Sequence, residues 1–195
     1  MPDSPEEMIV LLKERWEATG HAPKLASHHN DTPLHLAFTC YAFNPEGKFL
    51  LTRRALTKKT WPGAWTNSCC GHPAPGESLH AAVTRRLQAE LGVHPDRLDT
   101  VLAAVRYRAV MDNGIVENEV GPVVRALLTQ PPRPDPDEVE TTRWTAWPDL
   151  VAAATEGAAE ITPWSLITIR ELAALGPDPW KWPSIPTHEL PGGLH

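Results

Sequence analysis

The chain has 195 residues, 42% hydrophobic and 22% charged, with 21 prolines and 12 glycines, a make-up that points to one globular domain rich in turns and away from a long helical bundle. A net charge of -6 argues against a nucleic-acid partner, and uninterrupted apolar runs of only about five residues, such as "MIVLL", exclude a membrane-spanning helix. Three cysteines, an odd number, speak for a reducing compartment without a disulfide framework, and "MPDSPEEM" lacks the basic and apolar regions of a secretion signal, so a cytoplasmic protein is expected.

In chain order, residues 8–19, "MIVLLKERWEAT", read as a strand or a short amphipathic helix, with strand the preferred reading. "HLAFTCYAFN" alternates, "PEGK" supplies turn chemistry and "FLLTRR" follows, which predicts a hairpin. "WTNSCCGH" reads as one further strand running into "PAPG". From Glu77 the period changes: Leu79, Val83, Leu87 and Leu91 recur at helical spacing, and Gly92 stands where a C-terminal cap belongs. "TVLAAVRYRAVM" and "IVENEVGPVVRALLT" are predicted strands joined through "DNG", and "EVETTRWTAW" is another. A short helix is predicted over 148–155. A second runs through "TPWSLITIRELAALG", with Thr162 as cap, Pro163 in the first turn and Gly176 as stop. Residues 1–176 are expected to form the domain. Residues 177–195 form a proline-rich tail without packing period, expected to drape over the surface or to be mobile.

Chemistry concentrates in "WTNSCCGHPAPGE". Adjacent cysteines make a poor disulfide and a poor zinc clamp. On a strand Ser68, Cys70 and His72 share a face while Cys69 looks away, which pairs Cys70 with His72 and leaves Cys69 to packing. The same alternation in "VENEV" puts Glu117 and Glu119 on one face, and two acids on an apolar strand need a cation. With His28 and His35 from "HHNDTPLH" and with His72 they compose a His3Glu2 set of nitrogen and oxygen donors suited to manganese, magnesium or zinc. "RRALTKK", four cations and no acid in seven positions, wants an anion, most simply a phosphate. A diphosphate brings its own magnesium, and Glu90, one helical turn after Arg86, is placed to hold it. The competing reading makes Arg86 and Glu90 an ordinary i,i+4 pair.

The residues "TRRALTKKTWPGAWTNSCCGHP", "RRLQAELG", "RYR", "GIVENEVGPV" and "TPW" resemble, in order and in spacing, the type I isopentenyl-diphosphate delta-isomerases of the Nudix superfamily, from about Leu25 to about Leu175. The resemblance implies an α/β/α sandwich with a mixed sheet, an α+β fold. It implies divalent-metal ligands at His28, His35, His72, Glu117 and Glu119. It also implies a catalytic pair at Cys70 and Glu119, with Tyr107 and Trp164 beside the reacting carbons. Lys24, Arg54, Lys58 and Arg86 correspond to its diphosphate contacts, and Glu90 to a residue holding substrate-bound magnesium. His28 rather than His29 matches through its spacing to His35. The hydrolytic Nudix pattern REUxEExGU, with U aliphatic, reads here "RRLQAELGV": Arg86 and Ala89 stand where acids should be, which removes much of the carboxylate needed to activate a water.

Trp164, Tyr107 and Trp61 would wall a carbocation from water. A free cysteine by itself is more often packing than chemistry, and only its neighbours single out Cys70. His21, His80, His94, His188 and His195 are read as ordinary histidines, and Trp144, Trp147, Trp180 and Trp182 as packing. The leading expectation is an isomerase, monomer or homodimer, acting on a five-carbon diphosphate. The alternatives are an enzyme that protonates or cyclises a longer prenyl diphosphate, and a hydrolytic or purely binding Nudix module.

Overall fold

The computed structural model describes residues 7–194; the opening residues read above for a secretion signal, Met1–Glu6, and His195 lie outside the described residues. The apolar run at the start forms β1 (Met8–Leu12), which turns back antiparallel onto β2 (Ala18–Pro23). A single turn of helix, α1 (Lys24–Ser27), leads to β3 (His35–Leu36), β4 (Phe38–Phe43) and β5 (Lys48–Arg54). Short strands β6 (Trp65–Thr66) and β7 (Cys69–Gly71) follow, then α2 (Leu79–Leu91), β8 (Arg97–Val110), β9 (Val116–Leu127) and β10 (Val139–Ala146). The described chain closes with α3 (Trp147–Glu156), α4 (Pro163–Ala174) and the tail.

The strands join in one mixed sheet in the order β10-β5-β4-β9-β3-β1-β2, with β6 on β5, β7 on β4 and β8 on β9. β9 runs parallel to β3 and β4 and antiparallel to β8. Every residue of β4 is buried, as expected of a strand covered on both faces. Its side chains alternate between two cores. Phe38, Cys40 and Ala42 pack with Leu79, Val83, Leu87 and Leu91 of α2. Tyr41 and Phe43 pack with Trp147 of α3 and with Ile169 and Leu172 of α4. Helices on both faces of a mixed sheet make the expected α/β/α sandwich.

The helix predicted from Glu77 begins with Ser78, whose hydroxyl accepts from Ala81 N at 3.3 Å, and ends at Gly92, with φ of 62° and its N–H donating to Gln88 O at 3.1 Å. Two expectations need correcting. "WTNSCCGH" is two strands, because Asn67 and Ser68 spend their side chains on the backbone that a continuous ladder would have used. Ser68 Oγ donates to Leu50 O at 2.6 Å and accepts from Ala42 N at 2.9 Å, while Asn67 Nδ2 donates to Cys40 O and Cys69 O at 3.2 and 2.8 Å. This wedge parts β4 from β5, whose predicted hairpin pairs through the single register Phe43 to Phe49. Thr162 stands at the start of α4 as predicted but does not cap it with its side chain; its hydroxyl meets Ser165 Oγ and Thr66 Oγ1, both at 2.9 Å.

The tail departs from its expectation as well. Trp182 is 3% exposed and joins the α3/α4 core, Leu194 closes the α2 core, and Ile185 N donates to Thr100 O at 2.7 Å. Single anchoring residues on irregular backbone carry these contacts, so no periodicity betrays them.

Candidate active site

Glu119, 5% exposed, is placed by strand register. It pairs with His35 across the parallel β3 and with Tyr107 across the antiparallel β8, so both side chains flank it on one face. Glu119 Oε1 lies 2.9 Å from His72 Nε2 and 3.2 Å from His35 Nε2, and these two nitrogens are 3.2 Å apart. His28 joins them; one ligand atom from each of His28, His35, His72 and Glu119 falls within 4.8 Å of all the others. His28 Nδ1 bonds Lys24 O at 2.8 Å and His35 Nδ1 bonds Pro33 O at 2.9 Å. A carbonyl only accepts, so both rings carry hydrogen on Nδ1 and present Nε2 to the cluster. Three imidazole nitrogens and a carboxylate oxygen are gathered into one largely buried group. The donor set therefore fits a divalent ion with nitrogen and oxygen ligands. Glu117, on the same face of β9, stands just outside this group with Oε2 3.2 Å from His28 Nε2.

The charges answer to this geometry. Burial favours a protonated Glu119, but the His35 and His72 contacts outweigh it and hold the carboxyl well below its ordinary range. Burial pulls His72 down to about 3 and so keeps it neutral. Burial also opposes charge on His28, yet Glu117 overcomes it and lifts that ring to about 9. The Tyr107 hydroxyl donates to Glu119 Oε2, and burial first, then Glu119, push the phenol well above its usual value.

A cavity of about 600 Å³ opens beside this cluster, and Cys70, Glu119, Tyr107 and Trp164 all line it. Cys70 comes from β7, paired with Thr39 of β4, and burial drives its thiol up to about 12. Cys69 packs into the α2 core at 2% exposure, as the alternation requires. Trp164, in the first turn of α4, stacks on Tyr107 with centroids 6.0 Å apart and meets the Trp61 ring edge-on at 5.0 Å.

Lys24, Arg54, Lys58 and Arg86 line the same cavity. Arg54 is braced by Thr60 through its Nε, 2.9 Å from the carbonyl, and its Nη2, 3.0 Å from the hydroxyl. Arg86 Nη2 lies 2.6 Å from Glu90 Oε1; burial opposes the guanidinium charge, but Glu90 and Glu138 more than restore it and raise its pKa. Arg53 of the "RRALTKK" run faces elsewhere, its Nε donating to Gly63 O at 2.9 Å.

Two participants were not singled out by sequence reasoning. Glu138, 6% exposed, takes Lys58 Nζ and lies 3.4 Å from Arg86 Nη2. It opens the predicted strand "EVETTRWTAW", just after further acids, and only the fold turns this one inward. Asn67 meets Cys70 and Trp164 through its side-chain oxygen, each at 3.2 Å. No local signal marked it, because the strand break that frees its amide depends on β4 and β5.

Comparison with known proteins follows the same outline. The NUDIX domain model matches residues 33–165. The isopentenyl-diphosphate Delta-isomerase of Saccharopolyspora erythraea is 49% identical over 185 residues, 95% of each chain. That of Mycolicibacterium vanbaalenii is 51% identical over 170 residues, 87% of this chain and 93% of the relative. Among solved structures, DR0079 from Deinococcus radiodurans superposes with a TM-score of 0.65 at 19% identity, covering 85% of this chain and 98% of its own. The MutT protein from Methanosarcina mazei Go1 gives 0.58 at 18% identity over 72% and 94%. At these identities the structural matches speak for the fold alone.

Proposed function

Since the chain belongs to the NUDIX domain family, and within it to the isopentenyl-diphosphate Delta-isomerases, we propose that it converts isopentenyl diphosphate to dimethylallyl diphosphate by moving one hydrogen across an allylic unit. The observation that carries the reading is one cavity lined by a thiol and a carboxylate from different strands and by four cationic side chains.

The reaction delivers a proton to the terminal alkene carbon and removes one from C2, through a tertiary carbocation or a species close to it. One partner must hold a proton and the other must lack one. Cys70 on β7 and Glu119 on β9, both lining the cavity, are the two groups for these transfers. Arg54, Lys58, Arg86 and Lys24 bind the diphosphate, with Glu138 and Glu90 holding two of these side chains in place beforehand. Magnesium accompanying the diphosphate is assigned to Glu90. His28, His35, His72 and Glu119, with Glu117 adjacent, are the residues for a resident manganese, magnesium or zinc ion, which would orient Glu119 and favour its ionised form. Trp164 offers a π face to the cation, worth about 2 kcal/mol against the roughly 8–23 kcal/mol that catalysis requires, so it assists rather than drives the step. Trp61, Trp164 and Tyr107 exclude the water that would trap a tertiary cation.

The test is incubation with isopentenyl diphosphate and a divalent metal in deuterated water, followed by proton NMR. Dimethylallyl diphosphate carrying deuterium is the expected product, and Cys70→Ala should abolish it while leaving fold and metal content intact. Conversion of a longer prenyl diphosphate alone, or phosphate release alone, would each replace the reading with a different activity. Full activity in Cys70→Ala would remove the thiol from the mechanism.

A further inference from the structure

Asn67 is 1% exposed, and its side chain is the point where three separate pieces of the site meet. Its Nδ2 donates to two backbone carbonyls, Cys40 O of β4 at 3.2 Å and Cys69 O of β7 at 2.8 Å. Carbonyls cannot donate, so the NH2 end must face them, and the orientation of the amide is decided by its surroundings. The oxygen is thereby turned towards the cavity wall. There the indole N–H of Trp164, which can only donate, reaches Oδ1 at 3.2 Å, and the thiol of Cys70 reaches it at 3.2 Å as well. The two assignments agree independently: carbonyls fix the nitrogen end, and an obligate donor fixes the oxygen end. Ser165 Oγ at 2.9 Å and Thr66 Oγ1 at 3.1 Å complete the ring around the same oxygen.

We propose that Asn67 is a positioning residue for the isomerase reaction, one amide that sets the thiol of Cys70 and the indole of Trp164 in register with each other by holding both on a single oxygen. The role rests on the isomerase reading above. Cys70 reaches the site on β7 and Trp164 on α4, elements that come from distant parts of the chain. A substrate carbon must meet the thiol while the developing cation lies against the indole face, so their relative placement matters more than either position alone. A hydrogen bond to a shared buried acceptor couples them directly, and the anchoring of Nδ2 on two strands stops that acceptor from following either partner. No substrate contact is required of Asn67 itself.

Steady-state kinetics on isopentenyl diphosphate with Asn67→Ala tests this. Loss of the shared acceptor is expected to lower kcat about 100-fold, the cost of misplacing a reacting group by about 1 Å, with KM held within about threefold because the cationic end is untouched. Asn67→Asp, whose carboxyl is kept protonated by burial against two carbonyl oxygens, keeps an acceptor on the thiol and indole and a donor on one carbonyl and should recover at least about tenfold of that loss. In a Trp164→Phe background, which keeps an aromatic face but lacks the N–H, the further effect of Asn67→Ala should shrink at least about threefold, as coupled sites require. Wild-type kcat in Asn67→Ala overturns the proposal, as does a loss that is the same size in both backgrounds or that Asn67→Asp fails to relieve. If Asn67→Ala does not fold, Asn67→Ser decides, since its short side chain cannot reach both the thiol and the indole: a kcat reduced about tenfold at unchanged KM supports the shared bond, and an unchanged kcat refutes it. A wild-type protein that leaves isopentenyl diphosphate unconverted sinks the isomerase reading, whereas an active wild type beside an equally active Asn67→Ala sinks only the positioning role.

Discussion

At the scale of single residues, the site is ruled by which nitrogen of each histidine is already engaged. Lys24 O and Pro33 O occupy Nδ1 of His28 and His35, leaving Nε2 of His35 to meet His72 and Glu119 and Nε2 of His28 to meet Glu117 beside them. Adding manganese or zinc to metal-free protein at about 100 times its dissociation constant should therefore raise the stability by about 2.7 kcal/mol, read as a shift in melting temperature, and a chelator should reverse it. His35→Ala should lose most of that shift, and a melt indifferent to metal in the wild type would refute the cluster as a binding site. The candidate ligands were legible in the sequence as types and, through alternation, as faces: Cys70 with His72, and Glu117 with Glu119. The inward acid Glu138 was not, because nothing local distinguishes it from the acids beside it. Burial that arises from distant chain is what separates them.

At the scale of elements, the decisive contact is the passage of the segment linking β3 and β4 alongside β9, which keeps one register through both strands. Ala37 N donates to Val120 O at 3.1 Å, and a Cβ on Gly121 would lie 1.5 Å from Ala37 O. Glycine is required there by close approach of two backbones and not by a turn. Gly121→Ala must push Ala37 away, and with it His35 two residues earlier in the chain, out of register with Glu119. The expected outcome is a loss of about 3 kcal/mol or more in denaturant unfolding together with weakened metal binding; wild-type values for both would sink the register argument. The α2 helix shows the contrasting case. Its period and its left-handed glycine stop are local, so the helix and its C-terminal end could be read directly. The break between β6 and β7 could not, since Asn67 and Ser68 interrupt the strand only because β4 and β5 stand ready to receive their side chains.

At the scale of the whole molecule, the tail ties the sheet to its helices. Trp182 lies against Phe43 and Trp147 at centroid separations of 5.7 and 5.3 Å, and Arg125, 1% exposed, joins Pro179 O to Asp99. Trp182→Ala should cost about 3–5 kcal/mol by leaving a cavity between these rings, measured by thermal or urea unfolding, whereas a tail that merely drapes would lose almost nothing. Asp99 supplies a pH signature. Burial raises its carboxyl, but Arg125 and Arg97 prevail and hold it below the ordinary value. Its folded pKa is thus depressed, so its stabilisation is present above about pH 4, the unfolded value, and is lost as pH falls through the folded one. Asp99→Asn should therefore cost about 1.5–3 kcal/mol at pH 7, and that difference from wild type should shrink under acid. The sequence by itself determined the helix of the Nudix segment and the residue types of the site, because hydrophobic period and capping are local properties of the chain, and its motif spacing carried the family resemblance that implied the sandwich. Only the tertiary structure decided which acid of "DPDEVE" turns inward, where the strand before Cys70 breaks, how the tail enters the core and which amide holds Cys70 to Trp164. Each of these depends on a partner more than 25 residues away, and no local pattern reports a contact of that kind.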